Sequence, residues 1–220
     1  MSTHLPALKK LPRSFYLRAT LTVAKDLLGK YLVRRIGRER LVGKIVEVEA
    51  YLGENDPASH AYRGRTKRND VMFWKGGHLY MYFTYGMHFC CNVVTEEEGR
   101  GRAVLIRAVE PVEGIEAMVK NRGFTRQKEG GHAGDEPDHW DYTNVANGPA
   151  KLCKAFGIGR KENGTDLCGD ETWIGEVVNA KPQTKNPKRV VLSSSRIGIQ
   201  EGREREWRFY LKGSRFVSRA

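Results

Sequence analysis

The stretch Gly76–Thr95 constrains this chain more than any other: it runs twenty residues without a formal charge if His counts as neutral. Its length admits a membrane span. However, it holds three glycines, two His, an Asn and two Thr, and its apolar members are aromatic and alternating. That pattern predicts a pair of buried strands, His78–Thr84 and His88–Thr95, joined by a tight connection at Tyr85-Gly86.

Two such strands need neighbours, and the sequence offers several. Leu41–Leu52 alternates, with Val42, Val46, Val48 and Ala50 on one face and Glu47, Glu49 and Tyr51 on the other. Lys30–Arg35, Ala103–Val109, Arg208–Leu211 and Phe216–Ser218 read as further strands. Thr20 is placed to cap a helix over Leu21–Leu28 that Gly29 ends. Pro111 is read as opening a helix that buries Ile115, Met118 and Val119. Asn147-Gly148-Pro149 opens another, with Leu152, Cys153 and Phe156 facing inward. Arg122–Val145 has no period and is expected to be a long mobile loop. Lys181–Lys188 is a polar connection, and residues 1–15 are expected to be flexible. At 220 residues the chain is long enough for one domain with its own core. The predicted class is α+β with a largely antiparallel sheet.

Charge narrows the partners. Lys plus Arg number 38 against 26 Asp plus Glu, a net +12. A single domain this basic repels itself unless it meets a polyanion, so nucleic acid is the first expectation and an anionic membrane surface the second. The first thirty residues lack a long apolar run, so no secretory signal is read and a cytoplasmic protein is expected. Cysteines stand at 90, 91, 153 and 168 with no C-x-x-C spacing and no Cys/His ladder. Reduced, mostly buried thiols are therefore expected, and neither a metal nor a cofactor.

Several residues invite chemistry. Glu47, Glu49 and Tyr51 read either as a solvent-facing strand side or as a carboxylate over a cleft beside an aromatic wall. Tyr80, Tyr82 and Tyr85 fall within six residues. They are core packing, or else a stacking wall with a wedge at the hairpin tip that favours base extrusion; a stacked base gains about 1–3 kcal/mol. Asn92 sits mid-strand, where Asn is disfavoured, and suits either a core hydrogen bond or a ligand contact. Arg107 interrupts an apolar strand and demands an anion, which Glu49 or a phosphate could supply. His60 alone reads as a structural hydrogen-bonder.

In order along the chain, the motifs Leu-Val-Gly-Lys-Ile-Val-Glu-Val-Glu-Ala-Tyr-Leu-Gly at 41–53, Leu-Tyr-Met-Tyr-Phe-Thr-Tyr-Gly-Met-His-Phe-Cys-Cys-Asn at 79–92, Leu-Ile-Arg-Ala-Val-Glu-Pro at 105–111, Gly-Pro-Ala-Lys-Leu-Cys at 148–153 and Phe-Tyr-Leu-Lys-Gly-Ser at 209–214 resemble the alkyladenine DNA glycosylase family, the mammalian type of 3-methyladenine DNA glycosylase. The resemblance covers residue 20 to the C-terminus. It implies a compact single domain around a curved antiparallel sheet, and a monofunctional hydrolase that removes alkylated or deaminated purines from double-stranded DNA. It matches Glu49 to the water-activating base and Arg107 to the arginine that positions that water. Tyr51, His60 and Tyr82 match residues that sandwich the flipped base, Tyr85 the intercalating residue, and Asn92 the residue that disfavours guanine. Arg65 and Arg68 are expected to contact phosphate, although the basic loop Arg63–Arg68 that carries them differs in spacing from the family's. A monomer near the nucleoid, without membrane attachment, is implied. His88 departs from the family's aromatic, and 122–145 matches no family segment. A non-catalytic damage- or RNA-binding module, or a hydrolase of free nucleosides, would share part of this pattern. Glu49 separates the first from an enzyme, and the +12 charge argues against the second.

Overall fold

The computed structural model describes residues 6–84, 86–124, 142–178 and 190–218. Its centre is one nine-stranded antiparallel sheet. In chain order the elements are β1 (Leu8–Lys10), α1 (Arg13–Tyr16), α2 (Thr20–Leu27), β2 (Tyr31–Ile36), β3 (Glu39–Tyr51), β4 (Leu79–Thr84), β5 (His88–Thr95), β6 (Arg102–Glu113), α3 (Ile115–Arg122), α4 (Pro149–Ala155), β7 (Thr172–Val177), β8 (Val191–Ser194) and β9 (Arg208–Leu211). The main path runs β1-β7-β2-β3-β6-β5-β4. This is the expected α+β class, with α2, α3 and α4 packed against the sheet.

The sheet forks at β3. Its first half, Glu39–Lys44, pairs with β2, whereas Glu47–Glu49 pairs with β9. Both halves share β6 on the other side. The fork is possible because the β3–β6 ladder slips between Ile45 and Val48. Such a bulge adds a residue, bends the strand and changes which face each side chain takes. The expected shared face of Val42, Val46, Val48 and Ala50 is therefore split. Val48 and Ala50 join the main core with Leu41 and Ile45, while Val42 packs with Val33 and Trp173, and Val46 with Ala108 and Phe216.

The paired strands within 76–95 form as the alternation predicts, with Phe83 opposite Phe89 and Thr84 opposite His88. Other boundaries move. Pro111 lies inside β6, opposite Gly43, where the ladder is irregular and a missing N–H is tolerated. The helix starts later, after Gly114 at φ 72, where a Cβ would stand 2.7 Å from the Arg40 carbonyl. Met118 is buried there, while Ile115 and Val119 are half-buried. Thr20 does not cap α2; it is the first helical residue, and its hydroxyl donates to Glu96 (2.6 Å). Residues 8–16 are not a loose end, since β1 pairs with β7 and Tyr16 is fully buried. Phe216–Ser218 is no strand. It folds over β3, and Ser218 hydrogen-bonds Glu47. The expected loop 122–145 and connection 181–188 lie largely or wholly outside the described residues.

Candidate active site

Strand parity assembles the site. Tyr80, Tyr82 and Thr84 on β4 and His88, Cys90 and Asn92 on β5 face one way and line a cavity of about 650 Å³. β6 adds Ala103, Leu105 and Arg107, and β3 adds Tyr51. The turn after β3 brings Pro57, Ala58 and His60, α4 brings Pro149 and Ala150, and Ile197–Glu201 closes the remaining side.

Glu47 and Glu49 share a face of β3, and both are fully buried rather than solvent-facing. Their surroundings differ. Glu47 takes hydrogen bonds from Arg107 Nε (3.0 Å), Arg208 Nε (2.7 Å), and the Ser218 amide (2.6 Å) and hydroxyl (2.8 Å). It is a saturated structural anion. Glu49 Oε1 accepts the Ile197 amide (2.7 Å) and lies 3.2 Å from Arg107 Nη1. Its Oε2 accepts the Tyr51 hydroxyl (2.8 Å) and no other donor among the described residues. A carboxylate oxygen accepts two hydrogen bonds with ease, so one acceptor position on Oε2 remains. Burial and the adjacent Glu49 carboxylate hold the Tyr51 hydroxyl well above its usual pKa, which keeps it a donor. Arg107, the one charge in the apolar run Ala103–Val109 of β6, bridges both carboxylates and is 7% exposed.

The aromatic wall is partly stacked on itself. His60 and Tyr82 lie with ring centroids 3.7 Å apart and planes at 36°, and the Tyr80 hydroxyl is 3.3 Å from His60 Nδ1. A spacing that short leaves no room for a base between His60 and Tyr82. His60 is exposed by its surface area, yet the side chains packed around its ring desolvate it and, helped by the Arg68 charge, lower its pKa to about 4, so the ring is neutral at pH 7. Asn92 donates both amide contacts to backbone, to Tyr80 O (3.0 Å) and Cys90 O (3.2 Å). This fixes the amide and leaves Oδ1 as its acceptor. Cys90 lines the cavity, but burial raises its thiol to about 11, so it is no nucleophile at neutral pH.

Tyr51, His60, Tyr82, Asn92 and Arg107 thus converge on one cavity, with Glu49 directly behind Tyr51 and Arg107. The two candidate phosphate contacts lie outside it. Arg65 pairs with Asp70 (2.7 Å), and Arg68 donates to Phe83 O (3.0 Å) while resting 4.9 Å from the Tyr82 centroid. Tyr85 lies outside the described residues.

Sequence reasoning missed the clamp behind this cavity. Arg196 and Asp56 form a bidentate pair (2.5 and 2.7 Å) with both side chains fully buried. Arg196 also donates to Ala50 O (2.9 Å) and stacks 4.7 Å from the Tyr51 centroid. It ties β3, the turn leading to His60 and the 197–201 wall together. The signal was present: Arg196 is the only charge in 190–200, the same signature that singled out Arg107.

A basic molecule whose cavity joins aromatic rings to a buried, directed carboxylate has the parts of an enzyme that works on a nucleobase. The chain belongs to the methylpurine-DNA glycosylase (MPG) family, whose model matches residues 14–215. It is 47% identical over 209 residues to a protein of Carboxydothermus hydrogenoformans, covering 95% of this chain and 98% of that one. It is 45% identical to one of Clostridium acetobutylicum (95% and 97% covered) and 47% identical to one of Methanoculleus marisnigri (95% and 98%). Each of these relatives is named "Putative 3-methyladenine DNA glycosylase". The chain is accordingly a DNA glycosylase, a hydrolase of N-glycosidic bonds that serves base excision repair. Among the described residues, no helix is long and apolar enough to cross a membrane.

Proposed function

We propose that this protein extrudes a damaged purine from duplex DNA into the aromatic cavity and hydrolyses its glycosidic bond with water activated by Glu49. The observation that carries this reading is the Glu49 carboxylate. It is anchored by the Ile197 amide, Arg107 and the Tyr51 hydroxyl, with one Oε2 position left for a water.

The step balances without a cofactor. The C1′–N9 bond breaks with its electron pair leaving on the purine. The water oxygen bonds to C1′, and its proton passes to Glu49. Cationic charge developing at the sugar is stabilised by the same carboxylate. Arg107, held by Glu47, orients Glu49 and the water. An N3-alkylated purine such as 3-methyladenine departs readily because its ring is already positive. A deaminated purine such as hypoxanthine departs less readily and depends more on Glu49. With water as nucleophile, no strand-cutting lyase step follows.

The base lies between Tyr51 on one side and the His60–Tyr82 pair on the other. Asn92 Oδ1 stands on the pocket wall, where the bulk of the fixed amide opposes guanine's exocyclic amine. Tyr85 fills the gap left in the duplex, and Arg68, with Arg65, meets backbone phosphate. The protein acts as a monomer on double-stranded DNA in the cytoplasm.

The test is release of free base from duplexes carrying 3-methyladenine, ethenoadenine or hypoxanthine, against undamaged duplex. Free base from the lesion duplexes alone is expected. Tight binding with no release would favour a damage-binding module instead.

A further inference from the structure

The face of the β4–β5 hairpin turned away from the cavity carries a second feature. Phe83 and Phe89 are cross-strand partners with centroids 5.0 Å apart. The Arg160 guanidinium rests over both rings, 5.3 Å from Phe83 and 5.9 Å from Phe89. Arg160 is exposed and carries no ion pair among the described residues. The nearest carboxylate in sequence, Glu162, is committed elsewhere, to Arg34 (2.7 Å) and the Gly159 amide (2.6 Å). Lys161, the next residue along the chain, is exposed as well. A guanidinium seated over aromatic rings, which accept no hydrogen bond in its plane, keeps N–H donors free for phosphate oxygens. On the cavity face of the same hairpin, Arg68 rests over Tyr82 in the same way.

We propose that Arg160, seated on Phe83 and Phe89, contacts a backbone phosphate of the undamaged DNA strand, so that Arg68 and Arg160 bracket the hairpin with one cation toward each strand. This rests on the reading above that the hairpin enters the duplex beside an extruded base. A hairpin in a groove has one backbone along each face. The cavity face receives the extruded nucleotide and hence its strand. The opposite face, which bears Arg160, is left to the complement. No base edge is read, so the contact is sequence-independent.

The test is equilibrium binding of Arg160→Ala and Arg160→Lys to a 25-residue-or-longer lesion duplex as salt is varied, with single-turnover excision at saturating protein. Losing one phosphate contact lowers the slope of log K against log salt by about one and weakens binding about eightfold at 0.1 M salt. Arg160→Lys should recover most of the slope. Neutral methylphosphonates on the undamaged strand opposite the lesion should erase the difference between wild type and Arg160→Ala. The same replacement on the damaged strand should leave it. Excision at saturation should stay within about twofold, since the contact lies outside the cavity and positions rather than reacts. An unchanged slope in Arg160→Ala overturns the proposal, as does a difference erased from the damaged strand. The binding arm needs no excision, so a protein that bound DNA but released no base would refute the glycosylase mechanism while still reporting on Arg160.

Discussion

Glu47 and Glu49 stand two residues apart on one strand face, equally buried, and yet differ in what they can do. Glu47 is enclosed by Arg107, Arg208 and Ser218, so its removal is a matter of stability. Glu47→Gln is expected to destabilise the fold by about 3–5 kcal/mol, because it strands buried arginines. Chemical denaturation measures this; a loss under 1 kcal/mol would contradict the assignment. His60 makes a second residue-scale prediction. Its folded pKa is lowered to about 4, below the unfolded 6.5, so the unfolded chain binds the extra proton between those values. The contribution of His60 is complete above pH 6.5 and is lost as pH falls through about 4. An NMR titration of the ring should show a midpoint well under 6.5, and His60→Gln should flatten the stability slope between pH 4 and 6.5. A midpoint near 6.5 would mean that the ring is not held among Tyr80, Tyr82 and Arg68. Arg107 was legible as a lone charge in an apolar strand. Glu49, one of the two anions the sequence offered it, does stand 3.2 Å away, whereas Glu47 went unread because it reaches Arg107 only after β3 and β6 pair.

At the scale of elements, β3 decides the architecture. Its bulge lets one strand serve β2 with its first half and β9 with its second, which brings Arg208 beside Glu47 and Ser218 over it. Gly43 marks the tight crossing on the other side, since a Cβ there would sit 2.6 Å from a Val109 methyl and 2.9 Å from the Phe156 ring. Gly43→Ala is expected to overpack this contact by about 1–3 kcal/mol, read as a lower melting temperature; an unchanged melting point would contradict it. Alternation made β3, β4 and β5 readable, since each has one face on a core. It failed at Val46, where a bulge shifts parity without changing composition. β1, β7 and β8 went unread because short strands of mixed sequence become strands only through their neighbours. Pro111 read as a helix start for the same reason: only the slipped β3–β6 register reveals that its missing N–H has no ladder bond to lose.

At the scale of the whole molecule, a net charge of +12 and a buried carboxylate behind the cavity wall are complementary. On the proposed mechanism the positive surface gathers the polyanion, and the Glu49 carboxylate, with an acceptor position left on Oε2, meets the cationic sugar. DNA affinity should therefore fall steeply and linearly in log K against log salt, while single-turnover excision at saturating protein changes far less. Filter binding across a salt series checks the first half, and a flat response would remove electrostatics from the account. The charge and the aromatic run were both plain in the sequence. The 197–201 wall and the Arg196–Asp56 clamp were not, because the segments they join lie about 140 residues apart.

The central claim is that Glu49 directs water onto the anomeric carbon. Its most direct test is the rate of free-base release from a hypoxanthine duplex under saturating protein, wild type against Glu49→Gln, with affinity for the same duplex measured alongside. The account predicts a fall of at least about 10²–10⁴-fold in rate with affinity preserved. Release near the wild-type rate by a Glu49→Gln protein that still binds the duplex would contradict it.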